Sequence, residues 1–153
     1  MSIERAPIGG VDWENAARSA ARLAKQVELA LDAVDLSLPQ YRVMVFLSEG
    51  TAGASTLAGT LAVSRPTITV VVDGLVAKGY VERQGDENDR RKVHHRLTPA
   101  GRRALERADV VVSERLTEIA SHLDDAEATT AVNGLVLWGQ ALTAARSAAV
   151  SRT

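Results

Sequence analysis

The sequence predicts a mainly α-helical fold with one small β-hairpin, and three observations carry that prediction. In residues 64–79, Ile68, Val71, Val72, Leu75 and Val76 recur at i, i+3, i+4, i+7 and i+8, one apolar stripe of a helix that Gly79 closes. A shorter helical stretch precedes it, separated only by Ala62-Val63-Ser64, and two short helices joined by so tight a turn have helix-turn-helix spacing. Beyond Gly79 come Tyr80-Val81-Glu82-Arg83, a polar tip over residues 84–91, and Lys92-Val93-His94-His95-Arg96-Leu97-Thr98, a hairpin with arginines at its tip. Together these read as a winged helix-turn-helix, framed by long N- and C-terminal helices.

Each element has a local reason. Residues 1–10, with Pro7, Gly9 and Gly10, read as a loose lead-in. Asp12 is placed to cap a long helix to about Val34, whose apolar positions Ala16, Ala20, Leu23, Val27, Ala30, Leu31 and Val34 keep helical spacing. The break at residues 35–39 ends that pattern, and Pro39 suits the first turn of a second helix reaching Ser48. Residues 49–53 read as a turn, after which Ser55 is expected to cap the short helix 56–62. Past the wing, Thr98-Pro99 opens a helix to about His122 with Leu105, Val112, Leu116 and Ile119 on its apolar side. A last helix over residues 126–150 carries Val132, Leu135, Val136, Gly139, Leu142 and Ala145. The expected division is an N-terminal dimerisation helix (1–36), a DNA-binding domain (37–101) and C-terminal dimerisation helices (102–153). The terminal helices carry more apolar surface than a small winged domain needs, which points to burial against a second subunit; an intramolecular bundle is the alternative.

Composition narrows the function. With 46% hydrophobic but only 3% aromatic residues, the core must be built from Ala, Leu and Val. The net charge of −1 is uninformative, but its distribution is not. Residues 78–103 hold eight Lys/Arg against four acids, whereas residues 104–153 hold four against seven. A local basic patch in a neutral chain is what a DNA-binding surface requires. The absence of cysteine excludes disulfides, thiolate catalysis, zinc fingers and thiol redox sensing. No leader-like or bilayer-length apolar run is evident, so a cytoplasmic protein without membrane contact is expected.

The candidate DNA contacts follow from the same elements. Ser64, as N-cap, presents backbone amides to a phosphate. Arg65 and Thr67 lie in the first turn, where base edges are met, and Thr69 and Val70 offer methyls suited to thymine. For each alone, a plain exposed helix residue is the competing reading. On the wing, Asp89 and Arg91 stand two apart; if that stretch is extended they share a face, and an arginine so held loses less entropy on entering a minor groove. Arg90 is the alternative insertion residue, while Lys92, Arg83 and Arg96 serve phosphates.

Over roughly residues 38–102 the chain closely resembles the MarR family of bacterial transcriptional regulators. The resemblance is carried by Leu38-Pro39-Gln40-Tyr41-Arg42-Val43, Ser64-Arg65-Pro66-Thr67-Ile68-Thr69, Gly79-Tyr80-Val81-Glu82-Arg83, and Asp89-Arg90-Arg91-Lys92-Val93 leading into Leu97-Thr98-Pro99-Ala100-Gly101-Arg102. It implies a homodimer joined through the first and last helices, bound to a pseudo-palindromic double-stranded operator. It further implies a repressor relieved by a small aromatic or anionic effector. Family pockets tend to lie on the first two long helices, which puts forward Trp13, Tyr41, Arg42 and Met44: Arg42 to neutralise a carboxylate, Tyr41 to stack or donate. The competing reading makes Tyr41 and Met44 core and Arg42 a surface pair. Two departures stand out, since many relatives are basic where this chain has Val70 and Gly74.

Other classes fit less well. His94 and His95 are neighbours on a strand and point to opposite faces, so they do not chelate one ion; no metal or cofactor is expected. No HExxH, GxSxG, P-loop or dinucleotide pattern is present, so no enzyme is expected. The remaining alternative is a sequence-independent, chromosome-organising winged-helix protein, or a winged module for protein contacts.

Overall fold

A computed structural model describes residues 10–50, 52–86, 89 and 92–150 of the chain. Among these the order is α1 (Trp13–Asp32), α2 (Leu38–Ser48), β1 (Ala52–Gly53), α3 (Ala54–Leu61), α4 (Arg65–Ala77), β2 (Val81–Gly85), β3 (Val93–Leu97), α5 (Pro99–Ala120) and α6 (Asp125–Val150). The expected mainly helical, winged architecture is the one observed.

The caps set the boundaries. Asp12 accepts the Asn15 N–H at 2.9 Å and starts α1. Ser37 and Gln40 form a reciprocal capping box at α2, with Pro39 in its first turn. Helix α3 departs from expectation: its N-cap is Gly53, without a side-chain cap, and Ser55 lies inside the first turn. The reason is that β1 runs straight into the helix. Ala62 then adopts a left-handed conformation, φ 54°, and turns the chain so that α3 and α4 meet at 110°.

Strand β1 occupies the end of the stretch 49–53, which reads as a turn in the sequence. Two residues show no alternation, and β1 exists because Ala52 and Gly53 pair with His95 and His94. The sheet order is β1-β3-β2, antiparallel throughout, with Val81 opposite Leu97 and Arg83 opposite His95.

The core lies beneath this sheet. Leu31, Val43, Met44, Leu57, Ile68, Val72, Leu75, Val81 and Leu97 are essentially inaccessible, and Ala104, Leu105, Ala108 and Val112 of α5 close the bottom. The wing base is fastened to α5 at one point. Thr98 caps α5 through the Gly101 N–H at 2.9 Å and donates its hydroxyl to Gly79 O at 2.7 Å. Gly101 packs so closely there that a Cβ would sit 2.0 Å from Tyr80 O. Helix α6 stays outside the core, leaving Leu135, Val136, Leu137, Trp138 and Leu142 exposed. Trp138 meets Trp13 edge-on, ring centres 6.3 Å apart.

Candidate nucleic-acid interface

Helix α4 turns one face into the core and the opposite one to solvent. Val70 lies about 200° around the helix from both Ile68 and Val72, and whereas those two are 1% exposed, Val70 is 72% exposed. Arg65, Thr67, Thr69 and Asp73 are exposed as well, as the periodicity of the apolar stripe required. Ser64 is the N-cap: its Oγ accepts the Thr67 N–H at 3.2 Å and shares a 2.7 Å bond with Thr67 Oγ1. Thr69 Oγ1 donates to Arg65 O at 3.0 Å. Both threonine hydroxyls of the first two turns are thus engaged within the helix.

Between α4, the start of α3 and the wing lies a concavity of about 520 Å³. Arg65, Thr69, Arg83, Lys92 and His94 are among its lining residues, which brings Arg65 of α4, Arg83 of β2 and Lys92 before β3 to one place. Their states differ. Arg83 is ion-paired with Asp73 of α4, and Lys92 lies 3.9 Å from Asp89. Arg65 has no ion-pair partner among the described residues. Arg96 pairs with Glu82 across the hairpin. Asp89 also accepts the Lys92 N–H with its carbonyl at 2.8 Å. Arg90 and Arg91, and with them the expected Asp89–Arg91 contact, lie outside the described residues.

The histidines take opposite faces of β3, as strand alternation demands. His94 Nε2 lies 3.1 Å from Asp86 Oδ2. His95, 5% exposed, donates Nδ1–H to Ala52 O at 3.1 Å and so ties β1 to the wing. Burial pushes the His95 pKa below the usual histidine value; the Ala52 hydrogen bond opposes this, and the Arg83 and His94 charges assist it. Sequence reasoning missed Asp73 as the partner of Arg83, although an acid on the exposed face of a basic site is a legible signal. It had none for His95 as a strand clamp, because β1 was not visible.

The four residues put forward for an effector do not converge. Met44 is fully buried. Tyr41 donates its hydroxyl to Asp109 of α5 at 2.7 Å, and burial followed by that carboxylate raises its pKa, so the phenol stays neutral. Arg42 donates to Leu61 O at 3.0 Å, satisfying a carbonyl at the end of α3. Trp13 lies against Trp138.

Comparison with known proteins adds four findings. The family described as MarR family matches residues 36–93. HTH-type transcriptional regulator FarR of Neisseria gonorrhoeae is 31% identical over 98 residues, 63% of this chain and 67% of its own length. A putative transcriptional regulatory protein for the hcr operon of Thauera aromatica is 35% identical over 78 residues, 51% of this chain and 47% of its own. In fold, the crystal structure of wild-type MarR (apo form) from E. coli superposes with a TM-score of 0.74 at 23% identity, covering 82% of this chain and 94% of that one.

Proposed function

The chain belongs to the MarR family, and from that premise we propose a repressor that docks as a homodimer on a pseudo-palindromic operator and leaves it when a small aromatic or anionic effector binds. Membership makes it a sequence-specific DNA-binding transcriptional regulator, not an enzyme. The observation that carries the docking mode is the juxtaposition of an outward-facing, Ser64-capped helix with the concavity lined by Arg65, Arg83 and Lys92.

In this reading α4 enters the major groove, with Arg65, Thr67, Thr69 and Val70 toward the bases. The wing, with Arg83, Asp89, Arg90, Arg91 and Lys92, follows the backbone and minor groove. A dimer places its two recognition helices about 34–36 Å apart, one turn of duplex. The exposed apolar residues of α6 support a second copy as partner. Release is a matter of differential affinity: an effector must favour a spacing or tilt of the two helices that fits DNA poorly. Helix α5 suits such coupling, because its first half is core to the DNA-binding lobe and its far end leads to α6.

The test is fluorescence anisotropy on duplex from the protein's own upstream region and on scrambled duplex, at two salt concentrations. A regulator is expected to prefer its own DNA by about a thousandfold or more. Equal binding to both, falling steeply with salt, is the behaviour of a sequence-independent organiser. Addition of aromatic carboxylates to the specific complex then tests release.

A further inference from the structure

We propose that α4 reads thymine C5-methyl groups in the major groove and that Val70 is a specificity-determining residue, an inference that rests on the regulator reading above. Among the described residues Val70 is the most exposed large hydrophobic, at 72%, and it stands opposite the core stripe on the helix assigned to the groove. Nothing local explains it. A β-branched residue in the middle of a helix lowers helix propensity, and an isopropyl group facing water gains nothing from the core.

Its neighbours are matched to it. Pro66, Thr67 and Asp73 stand at i−4, i−3 and i+3, on the same side of the helix. Pro66 is apolar and lacks an N–H. The Asp73 carboxylate is taken by Arg83. The Thr67 hydroxyl is engaged with Ser64, and the Thr69 hydroxyl with the Arg65 carbonyl. What Thr67 and Thr69 retain for a partner is chiefly their methyl groups, and Pro66 adds the methylenes of its ring. In the major groove the one apolar group on a base edge is the C5-methyl of thymine. An apolar spot on the helix that also carries Arg65, and whose Asp73 holds Arg83, therefore fits a duplex whose half-site has thymine where Val70 lands, with Arg65 left for a guanine or a phosphate.

The experiment is to select binding sites for the full chain from random duplex. Each thymine of the selected operator is then replaced in turn by deoxyuridine, which removes only the methyl. Wild type, Val70→Ala and Val70→Thr are compared on every duplex. Val70 packs on nothing in the core, so the variants are expected to fold.

At one or two positions per half-site, deoxyuridine is expected to weaken wild-type binding about fourfold, the worth of one methyl-sized group taken from water. Val70→Ala is expected to bind the thymine duplex about as weakly and to become indifferent to that replacement. Val70→Thr, which keeps a methyl, is expected to retain the sensitivity. An enriched operator at which deoxyuridine is everywhere equivalent to thymine would overturn methyl reading while leaving the regulator intact. A Val70→Ala protein that still distinguishes the two bases would overturn the assignment to Val70. Failure to enrich any sequence would overturn the regulator reading itself, and this inference with it.

Discussion

Gly101 shows how one residue fixes the relation between wing and stem. Its α-carbon lies against the Tyr80 carbonyl, and an added Cβ would sit 2.0 Å from that oxygen, backbone that cannot step aside cheaply. Gly101→Ala is expected to cost about 3 kcal/mol of stability by overpacking, read as a lower urea midpoint, and to weaken DNA binding through the displaced wing. An unchanged midpoint would show that the wing base is adaptable. Arg65 stands at the other extreme, exposed and without an ion pair among the described residues. For Arg65→Ala the expected result is relaxed preference at one base pair per half-site, about 1–3 kcal/mol of discrimination, with the fold intact. A binding-site selection that returns the parental motif would count against it. The exposure of Arg65, Thr67, Thr69 and Val70 was legible, because an apolar stripe determines its opposite face. The partners of Tyr41 and Arg42 were not, since Asp109 and Leu61 lie 68 and 19 residues away and only packing brings them near.

Among the elements, the short strand β1 is tied to the wing by a histidine as well as by its backbone pairing. His95 is buried and neutral, its Nδ1–H spent on Ala52 O, with Arg83 of β2, Asp73 of α4 and His94 of its own strand as the charged or titratable groups acting on it. Its folded pKa lies below the unfolded value, so the unfolded chain takes up the proton first as pH falls. The contribution of His95 is therefore complete above about pH 6.5 and diminishes below it, by up to about 1.4 kcal/mol per pH unit. Urea midpoints taken from about pH 7.5 down to about 5.5 are expected to fall, and His95→Gln is expected to flatten that slope whatever it does to overall stability. Equal slopes in the two proteins would dismiss His95 as the group behind the pH dependence. Helices α1, α2, α4 and α5 were visible beforehand through caps and periodicity. Strand β1 was not, because two residues have no period and are a strand only by virtue of β3 beside them.

For the whole molecule the outstanding surface is α6. Leu135, Leu137, Trp138 and Leu142 are 43–62% exposed, more apolar area than a lone chain leaves in water along one helix. The edge contact between Trp13 and Trp138 still leaves these rings 44% and 56% exposed. If a second copy covers this surface, a Leu135→Glu/Leu142→Glu double variant is expected to sediment as a monomer. It is then expected to bind its operator at least about a hundredfold more weakly, since the second half-site is no longer engaged at high effective concentration. A variant that keeps the mass of a dimer would place the interface elsewhere.

Helix α4, its Ser64 cap, the β2–β3 hairpin and the family resemblance were all legible in the chain, because each is written in neighbours along it. Ser64 and Thr67 are three residues apart, the α4 stripe repeats every three or four, and the hairpin pairs residues about its own tip. Tertiary structure alone decided what joins these parts: Asp73 to Arg83, His95 to Ala52, Tyr41 to Asp109, and Gly101 beneath Tyr80. Local periodicity constrains which face a residue takes, but not which distant residue arrives to meet it. That is decided when the core closes and every buried polar group must find a partner within reach.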